Sequence, residues 1–237
     1  MGAHPLEQLR YLARGWGSSD DFPAREAAEV LAQLADEIPG SLVQACRRLI
    51  EYFPSSGPAW WLCARALCAP DPVEGILGAA GELADDPTGR RLAEALPASG
   101  VVAAPELSGA VRAALRRRQD VQVHKKAVRA QMVVVPVLAA GPSAVLVRPR
   151  SATAVRAAAH AGKPVWAVVA RGSLLPGPLW EQLLERAGAA VAVEVALEVI
   201  EAGELGGVVG ERGLEQPLPG LSRSTCPPVA ELLGWRS

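Results

Sequence analysis

Residues 141–169 read GPSAVLVRPRSATAVRAAAHAGKPVWAVV. Two arginines flank a proline, a serine follows, and an alanine-rich run leads through Gly-Lys-Pro to a burst of β-branched residues. Ser151 is the residue type that caps a helix N-terminus. Gly162 suits the position just past a helix end, and Pro164 comes after the stop. The spacing predicts a helix over 151–161 and a strand over 163–170, with Arg148 and Arg150 in the loop where the helix begins. In an open α/β sheet such loops can lie at the carboxyl edge, where ligands bind. A helix N-terminus offers unpaired N–H groups and partial positive charge, and two guanidinium groups beside it would favour phosphate. The competing reading is α/β packing with surface arginines that bind nothing.

Outward from this stretch, SGVVAAPELSGAVRAALRRRQDVQV (99–123) reads strand, loop, helix, strand. MVVVPVL (132–138) is a further continuous apolar run of strand length, and helices are expected over 107–118 and about 178–187. Short buried strands alternating with helices argue for a parallel, doubly wound sheet. The Gly/Pro-rich end of the chain reads as a surface wrap around one short strand at 207–210.

Residues 5–96 read as helices. Apolar positions recur at helical spacing in PAREAAEVLAQLADEI and in GSLVQACRRLIEYF. Asp21 and Ser41 are candidate caps, and Trp60 and Trp61 are expected as packing anchors. The fold class expected is α/β: an all-helical N-terminal domain, 1–97, followed by a Rossmann-like parallel sheet domain, 98–237, with helices on both faces.

Net charge is −1 over 237 residues but unevenly spread: −6 over residues 1–99, +9 over 100–163 and −4 over 164–237. A basic middle between acidic flanks suggests an anionic ligand or a charged internal interface. The basic run RRRQDVQVHKKAVR (116–129) lacks interleaved aromatics and matches no nucleic-acid motif, which argues against nucleic-acid binding. Cys46, Cys63, Cys68 and Cys226 form no CxxC pair and read as buried, reduced thiols. His4, His124 and His160 have no second ligand at metal spacing, so no metal site, no cofactor and no Ser-His-Asp triad is expected. Residues 1–17 hold no apolar run of signal-peptide length, and the apolar run 132–147 is broken by prolines and falls short of a span of about 20 residues. A soluble cytoplasmic protein is expected.

The order VVVPVL, AAGPSAVL, VRPRS, ATAVRAAAHA, GKPVWAVV resembles the superfamily of the translation initiation factor 2B alpha/beta/delta subunits and methylthioribose-1-phosphate isomerase. In that family a strand ending Gly-Ala-Asp leads through a short loop to Asn-Lys-x-Gly-Thr, an Ala/Leu-rich helix and a Gly-x-Pro strand. Arg148 falls at the lysine and Ser151 at the threonine. IEYFPSSGPAWWLCARAL (50–67) is similar to a segment of the family's N-terminal helices, and Ser108 in VVAAPELSGAVRAAL (101–115) falls at a serine before a helix. The resemblance implies phosphate contacts from Arg148, Arg150, Ser151 and Ser108, and pairing of two copies through the sheet domain. It also exposes departures. The isomerases resembled use a loop cysteine and the Gly-Ala-Asp aspartate as acid and base. Here residues 103–108 hold no cysteine, Pro136, Val137 and Leu138 replace Gly-Ala-Asp, and Val147 replaces the asparagine. The family usually inserts a further strand and helix where this chain has only residues 122–131, so either the sheet lacks an element or the strand at 120–124 is misplaced.

The reading is therefore a non-catalytic protein of this kind, without catalytic residues. It either binds a phosphorylated sugar or nucleotide, or acts as a protein-interaction or regulatory scaffold. The alternative is a sugar-phosphate isomerase with relocated groups, for which Glu106 is the one candidate base, against its reading as an exposed surface residue.

Overall fold

The computed structural model describes residues 22–124, 126–190 and 196–235; the candidate cap Asp21 lies outside them. Four helices come first: α1 (Ala24–Glu37), α2 (Leu42–Tyr52), α3 (Gly57–Cys68) and α4 (Pro72–Ala84). Proline and cap chemistry set their starts. Asp71 accepts from the amides of Val73 (2.9 Å) and Glu74 (3.2 Å) with Pro72 in the first turn of α4, and Ser56 accepts from Ala59 N with Pro58 in the first turn of α3. Ser41 precedes α2, but its hydroxyl turns back to the Ile38 carbonyl instead of capping.

A fifth helix, α5 (Thr88–Ala95), leads to β1 (Gly100–Ala103), α6 (Gly109–Arg117), β2 (Val121–His124), β3 (Met132–Pro136), β4 (Ala139–Ala140), β5 (Ala144–Val147), α7 (Pro149–His160), β6 (Val165–Val168), α8 (Gly177–Ala190), β7 (Glu198–Glu201), β8 (Gly207–Gly210), β9 (Gly213–Glu215) and α9 (Pro217–Leu221). The main sheet has the order β2-β1-β3-β6-β8-β9, parallel except for β9. Its central strands β3, β6 and β8 are apolar because both faces are covered. Val133, Val135, Val165, Ala167 and Val208 pack with Ala152, Val155 and Ala158 of α7. The alternate residues Met132, Val134, Val168 and Val209 pack with Leu92 of α5 and Val111 and Ala114 of α6. The α/β class read from the sequence is the class observed.

Two details differ from the sequence reading. The run 132–138 is not one strand: β3 stops at Pro136, and the chain turns into a β4–β5 hairpin, which with β7 makes a three-stranded antiparallel sheet. The C-terminal region accordingly holds three strands rather than one. The strand at 121–124 is present, and the crossover from it to β3 is spanned by a single 3-10 turn, Ala127–Arg129. Lys163 fastens that turn by donating to the carbonyls of Ala127 (3.0 Å) and Val128 (2.8 Å).

The core of α1–α4 is not built from those helices alone. Leu146 of the hairpin, Leu179 and Leu183 of α8, and Cys226, Val229 and Leu232 of the C-terminal segment all bury into it. Residues 222–235 form a strap. Trp235 lies against Trp60 (5.8 Å between centroids) under the guanidinium groups of Arg186 (3.8 Å) and Arg47 (5.5 Å). Arg47 donates to the Glu231 carbonyl, and Arg186 to that of Trp235. At the start of α3, Gly57 donates to the Leu138 carbonyl (2.9 Å), and a Cβ there would come within 2.8 Å of the Ser173 backbone, so only glycine lets α3 abut the loop after β6.

Cys46, Cys63 and Cys226 are buried thiols as expected; Cys68, at the end of α3, is exposed. Burial pushes the Cys226 thiol up to about 12 and the Cys63 thiol well above its ordinary value, so neither is a thiolate at neutral pH.

Candidate functional site

In the strand order, β1 connects outward to β2 while β3 connects the other way to β6. The switch point of the sheet lies between β1 and β3, and loops at the carboxyl ends there are where α/β folds place ligands. The loop after β1 carries Glu106. The chain after β3 returns through the hairpin to the start of α7, which carries Arg148, Arg150 and Ser151.

Helix α7 begins two residues earlier than the sequence reading. Pro149 takes the first helical position, where its fixed φ is suited and no N–H is needed. Arg148 is therefore the N-cap, in extended conformation with no side-chain cap bond, and Ser151 sits inside the first turn. The far end matches the reading: Gly162 has φ +61, its amide bonds the Ala159 carbonyl and that of Lys163 the Ala158 carbonyl, a pair that closes the helix as a Schellman motif.

Placed in the first turn, Ser151 is fully buried. Its hydroxyl donates to Glu106 Oε2 at 3.2 Å. The Arg148 guanidinium approaches the same oxygen at 3.8 Å, and the Glu106 side chain keeps only 11% of its exposure. The first-turn amides of Arg150 and Ser151 have no carbonyl one turn back. A buried hydroxyl and a guanidinium at the start of the helix thus face one carboxylate, which belongs to the protein. Glu106 is not the exposed surface residue expected.

The other two residues stand apart. Arg150 is exposed and has no hydrogen bond or ion pair among the described residues. Ser108 caps α6, accepting from the Val111 amide at 3.4 Å. The structure therefore brings together Arg148 and Ser151, around Glu106, and leaves Arg150 at the rim and Ser108 occupied as a cap.

One signal could have pointed to Glu106. Only two acids, Glu106 and Asp120, stand in the strongly basic stretch 100–163. Asp120 serves a comparable purpose: Arg118 bonds it at 2.8 Å and also donates to the Ala93 and Leu96 carbonyls that end α5. The hydrogen bond from Arg118 holds the Asp120 carboxyl far below the usual carboxylate range. Each acid in the basic stretch faces an arginine.

Chemically, the residues brought together are a carboxylate, a buried hydroxyl and a guanidinium. Leu138, two residues past β3, has its amide and carbonyl spent on Leu146 and Gly57. Among the described residues no cluster of three or more His, Cys, Asp or Glu could hold a metal ion, and no helix is long and apolar enough to cross a membrane.

No family model matches the chain, and no curated protein matches its sequence. Solved structures do match its fold. A chain of the tetrameric eIF2B-beta2-delta2 complex from C. thermophilum is 16% identical over 91% of this chain and 91% of that one, with a TM-score of 0.70. The translation initiation factor eIF-2B of Pyrococcus horikoshii OT3 is 12% identical over 93% of this chain and 100% of that one, TM-score 0.64. The 5-methylthioribose 1-phosphate isomerase of the same organism is 14% identical over 91% and 85%, TM-score 0.56. These are the two branches of the superfamily that the sequence resembles, and the fold is theirs.

Proposed function

We propose that this chain is a non-catalytic, initiation factor 2B-like protein that acts as a regulatory scaffold through protein contacts. The observation that carries this is the Glu106 carboxylate on Ser151 and Arg148 at the start of α7. At the positions where the resemblance implies a bound phosphate, the chain supplies its own anion. A tethered group competes at an effective concentration on the order of millimolar. A free phosphate of equal intrinsic affinity therefore needs millimolar levels merely to share the place. The absent loop cysteine and the apolar Leu138 support a role without turnover. We place the protein in the cytoplasm as a homodimer. The C. thermophilum relative is part of a tetrameric complex, which supports assembly.

A second reading has its own support. Arg150, exposed and without a partner among the described residues, is available to a phosphorylated sugar or nucleotide that draws Arg148 and Ser151, with Ser108 nearby in sequence to Glu106, away from the carboxylate. Under that reading an isomerase would need Glu106 as its base.

Thermal unfolding of the wild-type protein with 10 mM ribose 5-phosphate or AMP separates the two. The scaffold reading expects Tm to stay within about 1 °C. A ligand at 100 times its Kd adds about 2.7 kcal/mol, or about 5–10 °C for a chain of this size. A shift of that size would install the second reading, and interconversion of an aldose and ketose phosphate lost in Glu106→Ala would install the isomerase.

A further inference from the structure

Strand β2 closes one end of the main sheet, and no described element pairs with its outer side. The His124 carbonyl points inward, accepting from Ala104 at 3.0 Å. Because bonding sides alternate along a strand, the N–H and C=O of Val123 point to the open side. An uncovered edge of this kind is a template for a further strand. Exposed side chains along it are Gln122 and Val123 at the centre, with cations at both ends. Val123 is 42% exposed and Val128, just beyond the strand, 76%. Arg116 and Arg117 precede β2, Lys126 and Arg129 follow it, and all four are exposed. The acid beside them, Asp120, is bonded to Arg118, so the positive charge here is not neutralised locally. Four residues of strand separate the two cationic ends by about 13 Å.

We propose that this edge docks an extended, acidic segment of a partner protein by strand addition. Main-chain bonds form to Val123, apolar side chains of the segment rest on Val123 and Val128, and carboxylates on either side of that centre meet Arg116 and Arg117 at one end and Lys126 and Arg129 at the other. Charge complementarity selects an acidic partner. Valines rather than stacking rings at the centre favour protein over nucleic acid. The proposal rests on the protein-contact reading for its class of partner, but it uses a surface separate from Glu106.

The test uses the full chain and a fluorescein-labelled hexapeptide of alternating Glu and Val, read by anisotropy at low salt. The wild type is expected to bind it, to bind the Lys/Val counterpart at least tenfold more weakly, and to lose at least tenfold in affinity in the double variant Lys126→Glu, Arg129→Glu. Hydrogen exchange at the Val123 amide is expected to slow in the saturated complex. That readout is independent of Val123→Pro, which removes the donor but can also unfold the edge. No binding of the acidic peptide, equal binding of the basic one, tighter binding of a single-stranded RNA 12-mer, or unchanged exchange at Val123 overturns the proposal. Binding of the peptide by a protein that also gains 5 °C with ribose 5-phosphate would keep the docking edge and remove the scaffold reading of the Glu106 site.

Discussion

Ending the chain at Leu221 is expected to abolish the cooperative unfolding of the helical half. The deletion removes Cys226, Val229 and Leu232, all at most 5% exposed within the core of α1–α4. Each buried apolar side chain is worth about 1.5–3 kcal/mol, and the part-buried Trp235 and Leu233 add to that. The sum, on the order of 5–10 kcal/mol, is comparable with the whole stability of a typical domain, about 5–15 kcal/mol. Polar anchors go as well: Arg47 loses the Glu231 carbonyl, and Gln182 loses the Gly234 amide. Far-ultraviolet circular dichroism on heating is the measurement. A Tm lowered by at least about 15 °C, or a melt without a cooperative step, is expected; a loss under 5 °C would mean that the strap is an accessory rather than part of the core.

Trp60→Ala is expected to be the most damaging single truncation. The side chain is fully buried and its indole N–H donates to the Pro54 carbonyl at 3.0 Å. Large-to-small changes at such sites cost about 3–5 kcal/mol from lost transfer energy plus the cavity. Trp60 also packs against Trp235 in a tilted contact, so its replacement loosens the strap. The double variant with Trp235→Ala should therefore cost less than the sum of the two, because both remove the same contact. Urea denaturation of the four proteins measures this. Strict additivity would show that the strap and α3 do not share a core.

The parts of the fold legible from sequence were those set by local pattern. Strands β1, β3, β6 and β8 carry continuous apolar runs because both faces of the sheet are covered, and the end of α7 is marked by Gly162 and Pro164, whereas its start lies two residues before the Ser151 that reads as its cap. The second sheet escaped notice for a physical reason. Strand β4 has two residues, and β5 pairs with β7 more than fifty residues later, so neither leaves a period in its own neighbourhood. The strap was hidden similarly, since its buried residues are few and widely spaced and their partners lie in α2, α3 and α8. At the site, Arg148 and Ser151 were visible through charge and helix-start chemistry. Glu106 reads from sequence only as a candidate base or an exposed surface residue; its inward turn is not legible, because its partners are 42 and 45 residues away, and nothing local distinguishes a carboxylate that turns inward from one that stays in water.

That carboxylate decides how the molecule is understood, and anion rescue of Glu106→Ala probes it most directly. Removing Glu106 leaves the Ser151 hydroxyl buried without its acceptor, at a cost of about 1–3 kcal/mol. Inorganic phosphate at 10 mM is expected to restore a large part of the lost Tm in Glu106→Ala while leaving the wild type within about 1 °C of its own value. Equal stabilisation of both proteins by phosphate, or of neither, would contradict the assignment of Glu106 as the resident anion of the site.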